Sequence, residues 1–203
     1  MTNTLYFDDL PDGLDLGKSV AIDTETLGLN LTRDRLCVVQ LSSGDGNAHL
    51  VQIKADQADC PNLKALITDA SVEKLFHFGR FDIAQLQKLA GGMSGPVFCT
   101  KIASKLVRTY TDRHGLAELC RELLGVELSK QQQSSDWGRD ELTQQQIDYA
   151  ASDVLYLHRL KDELLSRLER EGRRQAAEAC FAYLPHRAAL DLAGFDAVDI
   201  FHH

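Results

Sequence analysis

Long apolar runs are missing from this chain. The longest, Ala179 to Leu184, has six residues, against the roughly twenty that a membrane span needs, so no span is expected. The stretch around Asp8, Asp9, Asp12 and Asp15 is acidic and lacks an apolar segment, so no secretory signal is expected there. The five cysteines (Cys37, Cys60, Cys99, Cys120 and Cys180) are odd in number, scattered and without a CxxC pair. That argues against a disulfide framework or a structural zinc site. Prolines number only 4 in 203 residues, and no Ser/Pro-rich linker, repeat or low-complexity tract interrupts the chain. One domain over residues 1–203 is expected, with a helical tail from about residue 174. Basic charge is also short, with 22 Lys and Arg against 30 Asp and Glu, a net −8. A protein that neutralises many phosphates along a long nucleic acid is usually basic, so that class is disfavoured. A small polyanion held in one locally basic pocket is not. With 44% hydrophobic residues the chain can bury a core, and a soluble, cytoplasmic protein is the expectation.

Short apolar or β-branched runs at 19–24, 36–42 and 49–53, separated by Gly, Asn and Asp, predict a meander of strands. Residues 62–69 read as a helix, 72–78 as a buried strand, and 81–90 as a helix stopped by Gly91–Gly92. A short strand at 97–100 is followed by helices over 101–110, 116–124, 143–171 and 174–184. This order points to an α/β fold, a mixed sheet flanked by helices.

Chemistry is suggested first by Asp23-Thr24-Glu25. On a strand the two carboxylates share a face, roughly 7 Å apart at Cα. They repel one another, and a divalent cation with oxygen ligands offsets that repulsion; a solvated strand end is the plain alternative. Asp82, in His77-Phe78-Gly79-Arg80-Phe81-Asp82, falls in the first turn of a helix, where it either serves a site or simply complements the helix dipole. Tyr149 and Asp153 lie one turn apart on one helical face, so they either belong to a site or hydrogen-bond to each other. Together, four carboxylates and a tyrosine suit two-metal phosphodiester hydrolysis. All-oxygen ligation favours Mg²⁺ or Mn²⁺. With a pKa of about 10, the tyrosine is better suited to orienting a water than to acting as a base.

The order DxE, then Asp early in a helix, then YxxxD resembles the tyrosine-bearing branch of the DEDD 3′–5′ exonuclease superfamily. Longer stretches, AIDTETLGLN, RDRLCVVQ, HFGRFD, VFCTKIASKLVRTYTDRHGL, SKQQQSSDW and YAASDVLYLHRLK, are similar to the stand-alone, ribonuclease D-like nanoRNase C family. The resemblance implies a ribonuclease H-like fold, two divalent ions on Asp23, Glu25, Asp82 and Asp153, and Tyr149 placing the attacking water. It further implies hydrolysis of short RNA, especially dinucleotides such as the linear product of cyclic di-GMP breakdown, by a homo-octamer whose C-terminal tails close neighbouring sites.

Several substrate-binding candidates follow. Thr24 sits between the first two carboxylates. By the resemblance Leu29 wedges between two bases, which suits an apolar side chain that reads no sequence; the alternative is a core leucine. His77 closes a strand beside the Asp82 motif and either contacts a base or the backbone or is a satisfied core residue. Lys101, Lys105 and Arg108 recur at helical spacing, with Ile102, Ala103, Leu106, Val107 and Tyr110 opposite. Residues 100–114 carry +3 against −11 for the rest, so Arg108, Arg113 or both are expected to cap a terminal 5′-phosphate, with a solvated helix face as the plain alternative. Lys130, Gln133, Ser134 and Ser135 are further donors in a polar loop that ends at Trp137, a packing residue. Two other functions remain open: ribonuclease D-like trimming of longer RNA or a DNA exonuclease, and a silent oligonucleotide-binding module. The last is disfavoured because all four carboxylates are present.

Overall fold

Strands β1 (Asn3–Phe7), β2 (Ser19–Thr26), β3 (Leu36–Ser42), β4 (Ala48–Gln52), β5 (Glu73–Phe76) and β6 (Val97–Cys99) hydrogen-bond in the order β1-β4-β3-β2-β5-β6. The computed structural model describes residues 2–54, 59–129 and 135–202. Strands β2, β3 and β4 form the expected antiparallel meander. Parallel partners extend it on both sides, β5 and β6 beyond β2 and β1 beyond β4. Helices cover both faces, so all seven residues of β3 are buried and its sequence reads as a continuous apolar run, not an alternation. The fold is thus the expected mixed sheet flanked by helices.

The helices are α1 (Pro61–Thr68), α2 (Arg80–Ala90), α3 (Thr100–Val107), α4 (Leu116–Leu119), α5 (Gln144–Leu155), α6 (Leu157–Arg170) and α7 (Arg174–Leu190). Helix α4 widens into a π-turn at Cys120–Leu124, and α7 into another at Asp191–Phe195. Among the described residues no helix is long and apolar enough to cross a membrane.

Three differences from the sequence reading have clear causes. Edge strand β1 was not anticipated; five residues on the sheet margin carry too little alternation to declare themselves. The single helix expected over 143–171 is two, because Tyr156 leaves helical geometry (φ −110°, ψ −2°). Helix α5 lies on β1–β4, whereas α6 turns away to pack against α3 and β5. The break is therefore imposed by two packing surfaces, with no glycine or proline to announce it. Helix α7 runs past Pro185, where termination was expected, because Leu184 and Ala188 both bury on the core. Gln87 donates its side-chain amide to the Pro185 carbonyl (3.0 Å).

Two local devices orient the elements that carry acidic residues. The turn from β5 into α2 is tight: Phe78 adopts a left-handed conformation (φ 62°). A Cβ at Gly79 would come within 2.4 Å of the Phe76 side chain, so only glycine fits there. At the start of α5, Thr143 and Gln146 form a reciprocal capping box, satisfying two orphan backbone donors. Gln146 also donates to the Asp136 carbonyl (3.0 Å), tying the preceding loop to the helix. Removing that cap by Thr143→Ala is expected to destabilise the protein by about 1 kcal/mol. Urea unfolding measures it, and an unchanged midpoint would show that α5 is held by packing alone.

Candidate active site

The end of β2 and one face of α5 converge on a cleft of about 450 Å³ lined by Asp23, Glu25, Tyr149 and Asp153. Asp23 and Glu25 sit on one face of β2, as expected, but the solvated-strand-end alternative fails because helices cover that face. A register shift in the β2–β3 pairing follows Glu25; such a bulge bends the strand where it enters the cleft. Oxygen atoms of Asp23, Glu25 and Asp153 lie within 4.8 Å of one another. Asp82 stands beside them at the third position of α2, and its carboxylate accepts a hydrogen bond from Thr24 Oγ1 (2.5 Å). Thr24 therefore holds Asp82, a role that the sequence reading did not give it. Tyr149 and Asp153 point into the cleft from adjacent turns of α5. Among the described residues no Tyr149–Asp153 hydrogen bond forms, so the plain alternative for that pair is not realised.

Electrostatics follow from this crowding. Burial, reinforced by the charges of Asp82, Asp153 and Glu25, pushes the Asp23 carboxyl well above the usual range. Burial and the charges of Asp153 and Asp82 raise Glu25 to about 9. Burial and the Asp82 charge raise Asp153 to about 7. Burial also raises Asp82 to about 6, opposed by its Thr24 hydrogen bond. Burial and the same carboxylates push the Tyr149 phenol upward, so it stays protonated. A cluster of hard oxygen donors that repel one another when ionised is the donor set of a divalent cation. The residues fit that group.

The remaining candidates separate clearly. Leu29 is 86% exposed and lines the cleft, so the core-leucine alternative is excluded. It also walls a second cavity of about 640 Å³ that includes Phe78, Arg80 and Asp191. His77 lines the cleft with Nδ1 2.9 Å from Thr100 Oγ1. The Thr100 hydroxyl is itself committed to the Phe76 carbonyl (3.2 Å), so His77 Nδ1 donates and Nε2 is left as an acceptor. Burial, then the Lys101 charge, lowers the His77 pKa to about 3, which keeps the ring neutral. Trp137 packs as expected, 6.2 Å from the Tyr149 ring.

Arg108 requires correction. The stripe was projected along a helix to Arg108, but α3 ends at Val107 and Arg108 turns inward (φ −107°, ψ 58°). It is 1% exposed. Its guanidinium is committed to Glu122, to the Arg113 carbonyl (2.6 Å) and to Ser104 Oγ (3.1 Å). Tyr110, expected on the packed side, is exposed for the same reason. Arg113 is exposed, and neither arginine lines the cleft. Lys130, Gln133 and Ser134 lie outside the described residues. Cleft walls that the residue-level reading missed are Gly115, Leu116, Ala117, Glu118 and Leu128. No titratable pattern marks them, although Gly115 and Leu116 end one of the stretches that carried the resemblance.

Residues 8–169 match the family described as 3′–5′ exonuclease. The chain belongs to that family. Among curated proteins, the chain is 38% identical over 154 residues to ribonuclease D of Granulibacter bethesdensis, covering 76% of the chain and 38% of that relative. Ribonuclease D of Jannaschia is 30% identical over 173 residues, covering 84% of the chain and 45% of the relative. The chain thus spans less than half the length of these ribonuclease D relatives. Among solved structures, Brucella melitensis NrnC bound to pGG is 60% identical, with a TM-score of 0.96 over 100% of this chain and 99% of that one. The same protein with bound Mg²⁺ is 59% identical with a TM-score of 0.95, covering 100% of both chains. Escherichia coli RNase D is 28% identical with a TM-score of 0.74, covering 84% of this chain and 45% of that one. The fold is the ribonuclease H-like exonuclease fold of the NrnC structures.

One prediction concerns the metal-free protein. A buried carboxyl whose folded pKa is raised holds a proton that the unfolded chain has released at the same pH. Between about pH 4, where free carboxyls titrate, and the folded value of about 9 for Glu25, the folded state binds more protons. Its stability therefore falls as pH rises. Glu25→Gln removes that group, so without divalent metal its melting temperature is expected to gain on wild type progressively from about pH 5 to pH 9. A gap that does not widen would show that Glu25 is not electrostatically crowded.

Proposed function

We propose that this protein is a divalent-metal-dependent 3′–5′ exoribonuclease that cleaves short RNA, preferentially dinucleotides such as linear diguanylate, to 5′-mononucleotides. The observation that carries this reading is the confinement of the carboxylate cluster in a cleft with exposed Leu29 on its wall. Such a site grips a substrate at its ends, in keeping with the acidic net charge. Near-full-length likeness to NrnC, solved with pGG and with Mg²⁺, supports both the length preference and the metal.

In this mechanism Asp23, Glu25 and Asp153 hold divalent ions, Mg²⁺ or Mn²⁺, with Asp82 contributing from α2. Divalent ions held there would lower the pKa of a water and offset charge on the phosphodiester. Tyr149, kept protonated, orients the attacking water by a hydrogen bond. Water adds to phosphorus as the P–O3′ bond breaks, leaving a 3′-hydroxyl on one nucleotide and a 5′-phosphate on the other. His77, neutral and with Nε2 as acceptor, is suited to a ribose hydroxyl. Leu29 separates the two bases by apolar contact that suits any sequence.

Initial rates on a 5′-labelled RNA dinucleotide and a 5′-labelled heptamer, at equal concentration with Mg²⁺, test the length preference. The dinucleotide is expected to disappear far faster. A heptamer shortened as fast or faster indicates ribonuclease D-like trimming instead. Tyr149→Phe is expected to lower kcat by about 100-fold or more, with KM little changed; full-speed turnover would assign water placement to another group.

A further inference from the structure

Four glutamines are buried among the described residues: Gln40, Gln52, Gln85 and Gln146. Three are anchored. Gln52 donates to the Arg139 carbonyl (2.8 Å), Gln85 to the Asp34 carbonyl (3.3 Å) and Gln146 to the Asp136 carbonyl (3.0 Å). Gln40 differs. Its side chain is 0% exposed, and among the described residues neither Oε1 nor Nε2 meets a hydrogen-bond partner. Leaving a buried polar group unpaired costs about 1–3 kcal/mol, and an apolar residue would serve equally well in a centre strand. Its place in the sheet indicates what the amide is for.

Gln40 is the direct antiparallel partner of Asp23 across β2 and β3, and of Leu50 across β3 and β4. Directly opposed residues project to the same face with Cβ atoms about 5 Å apart. The Gln40 amide therefore lies on the cleft face of the sheet, beside the Asp23 carboxylate and on its side away from β5. That spacing is within reach of one amide–carboxylate hydrogen bond, direct or through one water.

We infer that Gln40 is a positioning residue for Asp23. Its Nε2–H donates toward the Asp23 carboxylate when that group is ionised around a divalent cation, fixing the rotamer that presents the other oxygen to the ion. A neutral donor is the suitable choice here. A lysine or arginine would compete with the cation for the carboxylate, and an acid would add to the repulsion. The inference rests on the proposed metal role of Asp23. Outer partners of this kind typically govern 10- to 100-fold in metal affinity.

The test compares Gln40→Met, close in size and apolar, with Leu50→Ala, a cavity on the same row of the sheet, and with Asp23→Asn. Each full-length protein is titrated with Mg²⁺ alone, by calorimetry and by the rise in melting temperature. Steady-state rates on a dinucleotide are measured alongside. Gln40→Met is expected to fold with a metal-free melting temperature equal to or above wild type, to bind Mg²⁺ about 10-fold more weakly, and to lose kcat with KM nearly unchanged. Leu50→Ala is expected to melt earlier and keep the wild-type Mg²⁺ midpoint. Gln40→Met with wild-type Mg²⁺ affinity, beside an Asp23→Asn protein that has lost it, overturns the inference and leaves the site intact. Asp23→Asn with wild-type Mg²⁺ affinity overturns the metal role of Asp23 and this inference with it. Should Gln40→Met fail to fold, Gln40→Asn, whose amide is one methylene short, is read by the same midpoint. A shift of about 10-fold supports the inference, and none overturns it.

Discussion

Negative charge held in a partly desolvated cleft is the constraint on which this structure turns. Asp23, Glu25, Asp82 and Asp153 come from three separate elements, and burial together with mutual repulsion raises the proton affinity of each. Without a counter-charge the arrangement opposes its own folding above neutral pH. On the proposed reading a divalent cation would reverse the sign of that contribution, because the carboxylates that repel one another would serve as its ligands. The surrounding scaffold can be understood as what keeps four such groups together despite their repulsion.

That scaffold is rigid where the acids are. Strand β2 sits between β3 and β5 in the sheet, so Asp23 and Glu25 are placed by backbone pairing. Asp82 is delivered by a turn with left-handed Phe78 and a glycine that no other residue can replace, then held by Thr24. Helix α5 begins in a capping box and lies across four strands, which fixes Tyr149 and Asp153 relative to β2. By contrast, Leu29 projects from a connecting segment with most of its surface open. The acids thus stand on a paired strand and on two helices that packing and hydrogen bonds hold in place, while the apolar Leu29 side chain stands on a connecting segment.

Legibility in the sequence followed the range of the interaction. Asp23 with Glu25 obeys the two-residue strand period, and Tyr149 with Asp153 obeys the helical turn. Both pairs were readable because each depends on one element alone. Arg108 failed for the complementary reason. Helical periodicity projected it onto the surface, but α3 ends one residue earlier and the guanidinium turns in to Glu122, fourteen positions along the chain. The break at Tyr156 and the edge strand β1 were invisible for the same reason, since distant packing surfaces decide both. Gln40 stood in a stretch that carried the family resemblance, yet its composition reads as one polar residue in a buried strand. Only the register against β2 sets it beside Asp23.

The sequence alone determined the class of the chain, its α/β order of elements, the acidic motifs and the family to which they belong. These rest on local periodicity and on residue types whose chemistry is the same wherever they stand. Tertiary structure decided which motifs meet, how far burial raises their proton affinity, and which cations are already taken. It also decided that Leu29 is exposed while Arg108 is not. Such properties arise from pairs of residues far apart in the chain, and their energies depend on distance and solvent exclusion, quantities that exist only once the sheet and its helices have closed around the cleft.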